Sequence, residues 1–192
     1  MIDKDKSLQN LLIENGAILK GHFLLTSGRH SDRYIEKFRV LENPDALDTV
    51  CLDMSLPFKS KNIDCVMGAA IGGILIAGGV GKYLGVKHIF SERVNGKMTL
   101  RRGFTLLEGM RIVIVEDVIT TGGSVFELID LAKSYKVEIV GIISLVERAN
   151  QPIDFGYNSH TLLRFPVVSW EVNKCPLCNE NIPLTNQGRT GK

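Results

Sequence analysis

The feature that most constrains the fold is a series of short apolar segments that alternate with helix-like segments between residues 63 and 148. The apolar segments are IDCVMGA, VKHIFSE, RIVIVED and VEIVGIISLVER, and the stretches GGILIAGGVGKYLG and GSVFELIDLAKSY lie among them. Strands that are apolar on both faces and separated by helices are typical of a parallel sheet covered on both sides. We therefore expect an α/β fold with a central parallel sheet flanked by helices.

The two ends of the chain do not follow this alternation. Leucines at helical spacing predict a helix over 7–15. Short apolar runs separated by polar residues predict a small sheet or hairpin over 21–37. Asn43 followed by a proline predicts the start of a helix that continues to about residue 59. From about residue 166 the sequence is irregular and contains prolines, which indicates a peripheral strand and a tail.

Length and composition limit the possible classes of protein. The chain has 192 residues, of which 44% are hydrophobic, so it is long enough for a single domain with a sizeable core. A net charge of +2 gives no reason to expect nucleic acid or a membrane as partner, and no apolar run has the length of a membrane span. The charged N-terminus lacks a signal-peptide core, so we expect a cytoplasmic protein. Cys51 and Cys65 lie in apolar surroundings, which favours reduced core thiols.

The segment RIVIVEDVITTGGSV combines two kinds of ligand-binding group. Glu116 and Asp117 end an apolar strand, at the edge where parallel sheets bind ligands. The loop that follows is rich in threonine and glycine and leads into a helix N-terminus, where backbone N–H groups favour a phosphate. Phosphate-binding N–H groups beside two carboxylates suit a ribose 5-phosphate, with the carboxylates on its 2′ and 3′ hydroxyls.

Two other interpretations of this segment are possible. The acids could belong to a Walker B strand of a nucleoside triphosphatase, but the required G-x-x-x-x-G-K-[ST] loop is absent, since Gly81-Lys82 is followed by Tyr83. Alternatively, the acids and threonines could simply end a strand. The length of the combined pattern argues against that simpler interpretation.

The stretch VIVEDVITTGGS resembles the phosphoribosyl-pyrophosphate-binding signature of type I phosphoribosyltransferases. The resemblance implies that family's fold, with a central parallel sheet flanked by helices and an N-terminal hood. It also implies that one continuous run binds phosphoribosyl pyrophosphate. That run consists of Glu116, Asp117, Val118, Ile119, Thr120, Thr121, Gly122, Gly123 and Ser124.

Three further segments resemble the orotate phosphoribosyltransferase family in particular: FLLTSGRHSDRYIEK, MGAAIGGILIAGGVGKYLG and FSERVNGKMTLRRGF. In that family they correspond to the hood over orotate, the pyrophosphate loop with its helix, and a mobile basic loop. The resemblance implies transfer of the phosphoribosyl group to orotate, in pyrimidine nucleotide synthesis, by one domain over 1–192 with a hood region at 1–40 and a peripheral tail at 166–192. It implies catalytic pyrophosphate contacts from Lys97 and Arg93, and orotate contacts from Thr120 and Arg148.

The same resemblance implies a cofactor and a partner. Mg²⁺ is expected to bind mainly through substrate oxygens, with no metal ligand supplied by the protein. A homodimer is expected, in which the mobile loop of one subunit reaches the active site of the other. Neither expectation follows from the residues alone.

The basic loop and Arg148 also have physical interpretations of their own. A polar loop over 93–105 with basic residues and flanking glycines suits a lid that closes on pyrophosphate, although a solvated loop without a role is the simpler alternative. Arg148, at the end of the last predicted core strand, could pair with a carboxylate in a bidentate manner or form a surface salt bridge.

The glycines of the predicted strand-to-helix turn, Gly68, Gly72 and Gly73, suit either close ligand approach or tight helix–sheet packing.

The chain departs from the family pattern at several positions. Thr26, Gly72 and Val94 stand where many relatives carry lysine, and about Thr99 they carry histidine. A residue-by-residue transfer of the phosphate contacts is therefore in question, and Arg101 and Arg102 are candidates to compensate.

The sequence CPLC, Cys175 to Cys178, is half of a four-ligand zinc site. A second CxxC is absent from the sequence, and the nearest histidine is His160. His22, His30 and His88 have no spacing that suggests a metal. We expect no protein metal site, with a site completed across a dimer as the alternative.

Two other functions stay open on sequence grounds. A purine phosphoribosyltransferase would share the fold, but its neutral base would give Arg148 less to bind. A non-catalytic regulator that senses the sugar pyrophosphate should lack the basic loop that carries Lys97.

Overall fold

The computed structural model describes residues 4–187. The helices are α1 (Lys4–Glu14), α2 (Phe38–Leu41), α3 (Pro44–Ser55), α4 (Gly72–Leu84), α5 (Gly123–Ser134) and α6 (Pro176–Asn179). The strands are β1 (Ile18–Leu24), β2 (His30–Ile35), β3 (Cys65–Ala69), β4 (Lys87–Val94), β5 (Lys97–Leu100), β6 (Arg111–Ile119), β7 (Glu138–Glu147), β8 (Ser159–Arg164) and β9 (Thr185–Asn186). No described helix is long and apolar enough to cross a membrane.

These elements form two compact units. The terminal unit consists of Met1–Val40 together with Pro166–Lys192, and the central unit consists of Leu41–Phe165. The single domain expected for residues 1–192 stays a prediction.

The central unit contains a six-stranded sheet in the order β5-β4-β3-β6-β7-β8. All neighbouring strands are parallel except β4 and β5, which are antiparallel. The expectation of a central parallel sheet is confirmed. The strand β8 was not predicted, because its residues Ser159–Arg164 are mostly exposed or half-buried and lack the continuous apolar run of the other strands.

Helices cover the sheet because its central strands are apolar on both faces. Along β6, Ile112 and Ile114 are fully buried in a cluster that includes Leu128 and Ile129 of α5. Val113 and Val115 are equally buried, and the alternation of a strand directs them to the opposite face. The predicted layers, with helices flanking the sheet, are therefore present.

The start of α3 shows how local sequence fixes a helix end. The Asn43 side-chain oxygen accepts hydrogen bonds from the backbone N–H groups of Asp45 and Ala46, at 3.0 and 3.3 Å. Pro44 occupies the first helical position, where its missing N–H has no cost. The predicted N-cap is confirmed, and α3 gives way to a short 3₁₀ helix over Leu56–Phe58.

The terminal unit is built on a three-stranded sheet in the order β2-β1-β9. β1 and β2 are antiparallel, which confirms the hairpin predicted near the N-terminus, whereas β9 is parallel to β1. The C-terminal segment also pairs with β2, since the backbone N–H and C=O groups of His30 and Trp170 bond to each other at 2.9 and 2.8 Å. Arg29 donates to the Ser169 hydroxyl at 2.9 Å. The first and last segments of the chain thus form one unit.

The segment predicted as a polar loop over 93–105 is largely a β-hairpin. β4 extends to Val94, and β5 begins at Lys97. The two residues between them, Asn95 and Gly96, have φ values of 51° and 80°. Asn-Gly with positive φ at both positions favours a two-residue hairpin turn, so the prediction of a loop over 93–105 was wrong.

Candidate active site

The central sheet creates a crevice where the chain leaves two neighbouring strands in opposite directions. β3 and β6 are adjacent and parallel. The chain passes from β3 through α4 to β4 on one side, and from β6 through α5 to β7 on the other. Ligands of open parallel sheets bind at such a point, beyond the carboxyl ends of the strands.

Two buried carboxylates stand at the end of β6 in this crevice. Glu116 is 7% exposed and Asp117 is 3% exposed. The Asp117 backbone N–H donates to Glu116 Oε1 at 3.0 Å, and the Val118 N–H donates to Asp117 Oδ1 at 2.5 Å. These local bonds fix the orientation of both side chains, as burial of charged groups requires.

The turn between β3 and α4 approaches the same carboxylates. A Cβ atom added at Gly72 would overlap the Asp117 carboxylate. A Cβ atom added at Gly68 would likewise overlap the Gly73 carbonyl. The glycines therefore permit close packing of the two turns, and the absence of a lysine at position 72 has a steric reason: any side chain there would displace Asp117.

The loop after β6 forms a concave surface at the start of α5. Gly122 has φ 78°, a left-handed conformation that favours glycine, and its carbonyl accepts the N–H of Phe126 at 2.9 Å. The N–H groups of the first helical turn lack partners within the helix. The lining residues are Glu116, Val118, Ile119, Thr120, Thr121, Gly122, Gly123, Ser124 and Val125.

A neighbouring segment packs directly on this loop. A Cβ atom added at Gly122 would lie 2.9 Å from a ring carbon of Phe155 and 3.3 Å from Ile153 Cδ1. Phe155 is buried and also contacts Phe126, with ring centroids 5.0 Å apart. The conformation of the loop is thus fixed both by its backbone angles and by the segment between β7 and β8.

Arg148 lies beside the loop because β7 pairs with β6. The Arg148 backbone N–H donates to the Ile119 carbonyl at 2.8 Å, which places Arg148 next to Thr120 in space. Arg148 is half-buried, and Thr120 is exposed. The structure therefore brings together the two residues predicted to hold orotate.

This geometry agrees with comparisons to known proteins. A model of the phosphoribosyl transferase domain matches residues 53–159. The orotate phosphoribosyltransferase of Caldicellulosiruptor bescii is 40% identical over 191 residues, 100% of both chains. That of Chlorobium phaeobacteroides is 45% identical over 174 residues, 91% of this chain and 90% of that protein. The orotate phosphoribosyltransferase of Aeropyrum pernix has a TM-score of 0.69 at 26% identity, over 82% of this chain and 93% of that one.

The chain belongs to the orotate phosphoribosyltransferase family.

The fold and family expected from the motifs are therefore confirmed.

The residues predicted to contact pyrophosphate in this orotate phosphoribosyltransferase family member, Arg93 and Lys97, lie in the β4–β5 hairpin. Arg93 Nη1 lies 2.7 Å from Glu127 Oε2 of α5, and it also donates to the Gly96 carbonyl at 3.2 Å. Lys97 is exposed at the start of β5. Met98 and Leu100 pack against the core cluster that includes α5. The hairpin thus packs on α5, the helix that follows the glycine-rich loop after β6.

The two arginines that follow β5 differ in their surroundings. Arg102 donates two hydrogen bonds to Glu92, at 2.7 and 3.2 Å, and its guanidinium lies over the Phe90 ring. The hydrogen bonds from Arg102 lower the pKa of Glu92. Arg101 is exposed. Arg102 is therefore engaged within the hairpin, so Arg101 is the better placed of the two to meet a ligand.

The cysteines of the central unit are not nucleophile candidates. Cys51 and Cys65 are free and buried, as expected for core thiols. Burial raises the pKa of Cys51 to about 12 and that of Cys65 to about 11. Both therefore stay protonated at neutral pH.

One group of side chains in the terminal unit was not predicted from the sequence. His22 and His30 lie beside Cys175 and Cys178, although no spacing rule connected them. His160, the histidine nearest to Cys175 in sequence, is on β8 of the central unit, where it contacts Phe58. The signal in the sequence was the CPLC pair alone, because its partners come from strands at the other end of the chain.

Proposed function

We propose that this protein transfers the phosphoribosyl group of phosphoribosyl pyrophosphate to orotate, giving orotidine 5′-monophosphate and pyrophosphate. The observation that carries the proposal is the cavity at the start of α5, whose lining unites an acidic residue with a glycine-rich loop. Such a site fits a sugar phosphate, with its phosphate at the helix N-terminus. The similarity to orotate phosphoribosyltransferases along the whole chain supports orotate as the acceptor.

We call the stretch over 116–125, which lines the cavity and contains the acid pair, the phosphate loop. It would bind the ribose 5-phosphate. The exposed hydroxyls of Thr120 and Thr121, with the N–H groups at the start of α5, supply donors to the phosphate. Glu116 and Asp117 would accept hydrogen bonds from the ribose hydroxyls. Backbone N–H groups already hold both carboxylates in a fixed orientation. Binding at both ends of the ribose would hold the anomeric carbon in one position.

The reaction forms a bond between an orotate nitrogen and the anomeric carbon while the bond to the pyrophosphate oxygen breaks. Lys97 and Arg93 would neutralise the charge that develops on pyrophosphate. Arg93 must first exchange its ion pair with Glu127 for the ligand. That pair is about one-third exposed, and pairs of this kind contribute only about 0–1 kcal/mol, so the exchange costs little.

Arg148 would bind the orotate carboxylate, with Thr120 beside it. A guanidinium can form two parallel hydrogen bonds with a carboxylate, which a neutral purine does not offer. The half-buried position of Arg148 beside the phosphate loop supports this assignment. The predicted hood over orotate rests on the resemblance of the N-terminal segment.

Phosphoribosyltransferases generally use Mg²⁺ with phosphoribosyl pyrophosphate. The oxygen donors of Glu116 and Asp117 suit this ion, which prefers carboxylate, water and substrate oxygens. When bound, Mg²⁺ would neutralise charge on the pyrophosphate. The protein's part would be to hold the ribose hydroxyls of the substrate through Glu116 and Asp117.

We also propose a homodimer in which the β4–β5 hairpin of one subunit reaches the active site of the other. The exposed apolar side chains of Ile71 and Leu75, at the start of α4, support an interface on the central unit. Sedimentation should then give the mass of two chains. An inactive Lys97→Ala chain mixed with an inactive Asp117→Asn chain should regain part of the activity, because one site of each heterodimer would be intact.

The decisive experiment follows the ultraviolet absorbance of orotate with the purified protein, phosphoribosyl pyrophosphate and Mg²⁺. We expect Mg²⁺-dependent loss of orotate, and no product when adenine or hypoxanthine replaces it. Turnover of a purine but not of orotate would contradict the role of Arg148. Binding of the sugar pyrophosphate without turnover of any base would instead support a regulator.

A further inference from the structure

Four metal-binding side chains converge in the terminal unit, far from the proposed catalytic site in sequence. They are His22, His30, Cys175 and Cys178, and their ligand atoms all lie within 4.8 Å of one another. His22, His30 and Cys175 are 2%, 4% and 1% exposed, and Cys178 is half-buried. We propose that these residues form a structural Zn²⁺ site, which replaces the expectation that the protein supplies no metal ligand.

Four of the six distances between ligand atoms are close to the edges of a tetrahedron around zinc, and all six are within 4.8 Å. Zn–N and Zn–S bonds of ordinary length give edges of about 3.3 Å between two nitrogens and about 3.6 Å between nitrogen and sulfur. His22 Nε2 lies 3.5 Å from Cys175 Sγ and 3.8 Å from Cys178 Sγ, and His30 Nδ1 lies 3.3 Å from Cys178 Sγ. The two nitrogens are 2.9 Å apart and would separate by a few tenths of an ångström.

The hydrogen bonding of His22 prepares it as a ligand. Its Nδ1 atom lies 2.8 Å from the Ile182 carbonyl oxygen, which can only accept, so Nδ1 carries a proton and donates. In the neutral ring, Nε2 then presents its lone pair to His30, Cys175 and Cys178. One lone pair cannot accept hydrogen bonds from three neighbours, whereas a metal in their midst satisfies all four groups. A histidine that binds a metal through one ring nitrogen typically donates a hydrogen bond from the other nitrogen, as His22 does here.

A bulge in the β1–β2 pairing orients His22 toward the cluster. Lys20 pairs with Arg33 and Phe23 pairs with Ser31, so β1 has one more residue than β2 between these pairs. As a result, His22 and Phe23 are both buried although they are adjacent. Bulges redirect side chains in this way.

The cysteines come from a compact turn with the zinc-binding C-x-x-C spacing. Cys175 immediately precedes α6, Pro176 is its first residue, and Cys178 is in it. The Ile182 N–H donates to the Leu177 carbonyl at 3.0 Å, which closes the turn. The same Ile182 orients His22 through its carbonyl, so the turn contributes two ligands and positions a third.

A bound zinc ion would link the C-terminal segment to the N-terminal hairpin through its four ligands. Backbone pairing there is short, because β9 contributes only Thr185 and Asn186 and the pairing with β2 is limited to the His30–Trp170 bridge. The buried apolar side chains described in the terminal unit are also few: Leu8, Leu12, Ala17, Phe23, Ile35, Val40, Val167 and Cys175. Small units with limited cores are commonly stabilised by a metal.

Zinc is favoured over other ions by the donor set and its closure. Two sulfurs and two imidazole nitrogens in a tetrahedron suit Zn²⁺, whereas Mg²⁺ requires oxygen ligands. Four protein ligands leave no open coordination position for water or substrate, so the role is structural.

The first test measures metal in the full-length protein purified without added metal or chelator. Elemental analysis should find one zinc ion per chain. Cys178→Ser and His30→Ala should lose it, whereas the control variants Cys65→Ala and His88→Ala should retain it. Cobalt replacement should give thiolate-to-metal charge transfer and the intense visible bands of tetrahedral Co²⁺. Zinc retained by both cluster variants would overturn the proposal.

A second measurement uses the unaltered chain, since cluster variants could fail to fold. Removal of metal by a strong chelator should lower Tm by about 5–10 °C, and stoichiometric Zn²⁺, but not Mg²⁺, should restore it. Equal Tm values with and without metal would overturn a structural role. A Cys175–Cys178 disulfide in the purified protein, found by mass spectrometry after alkylation, or another bound metal in place of zinc, would overturn the assignment to zinc.

Discussion

The phosphate loop of the central unit and the His/Cys cluster of the terminal unit are assembled in opposite ways. The phosphate loop occupies one continuous stretch of sequence, from Glu116 to Val125. The cluster draws His22 and His30 from a hairpin near the N-terminus and Cys175 and Cys178 from a turn near the C-terminus. A strand–loop–helix carries its function in local sequence, whereas a cluster of distant side chains exists only after the chain has folded.

The largest expected effect is a loss of turnover at the proposed catalytic site that leaves the His/Cys cluster unchanged. Lys97→Ala should lower kcat by about 10²–10³-fold, because one cation that stabilises charge on pyrophosphate is lost. Steady-state kinetics with orotate would measure this, together with zinc content and Tm. Lys87→Ala, an exposed lysine of β4, is the matched control and should keep normal turnover.

Zinc content should not change in Lys97→Ala, since Lys97 is not among the cluster residues. An unchanged kcat would remove Lys97 from the catalytic residues. A loss of zinc would show that the two sites are not as distinct as their residues indicate.

The second effect concerns the backbone of the phosphate loop. Gly122→Ala should destabilise the protein by about 2–4 kcal/mol, because a positive φ and an overlap with Phe155 both oppose a Cβ atom. Gly85→Ala is the control, since Gly85 has φ 69° but nothing within 4 Å of an added Cβ. It should cost about 1 kcal/mol from backbone strain alone.

Denaturant unfolding monitored by circular dichroism would measure both glycine variants. Equal losses would show that Phe155 moves away easily and that the loop is less tightly held than its packing indicates. The KM for phosphoribosyl pyrophosphate should also rise in Gly122→Ala but not in Gly85→Ala.

The smallest expected effect is the pH dependence of stability that comes from the core thiol of Cys65. Cys65 has a pKa of about 11 in the folded protein, raised by burial from 9.0. Between these values the unfolded chain loses the thiol proton while the folded chain retains it, so stability falls as the pH rises above 9. The loss from Cys65 reaches about 2–3 kcal/mol near pH 11.

Comparison of Cys65→Ala with the unaltered protein isolates this contribution. The stability difference caused by the substitution should be largest at pH 8 and should shrink as the pH approaches 11, in urea titrations at several pH values. A difference that does not change with pH would mean that Cys65 ionises in the folded protein as easily as in the unfolded chain.

Local patterns account for much of what could be predicted. Apolar strands and the Asn43 cap depend on neighbours in sequence, and the structure has both in their predicted places. The strand predicted to end at Glu116-Asp117 instead continues to Ile119. The β4–β5 hairpin was also predictable, because Asn95-Gly96 is a local signal for a two-residue turn. The assignment of substrate contacts to individual residues stays a prediction.

Other features depended on residues far apart in the sequence. The overlap that excludes a side chain at Gly72 involves Asp117 on another strand, and the packing on Gly122 involves Phe155. The strand β8 gains its place through pairing with β7 rather than through an apolar pattern of its own. None of these contacts leaves a periodic trace in the sequence.

The sequence by itself determined the α/β fold and the glycine-rich loop after β6, because strand, turn and helix preferences act between near neighbours. The resemblance of its motifs indicated the family. Only the tertiary structure decided that Arg93 forms an ion pair with Glu127 and that two histidines lie beside the cysteines of CPLC. Side-chain groups separated by about 150 residues meet through strand pairing and chain packing, and their spacing in the sequence carries no record of that meeting.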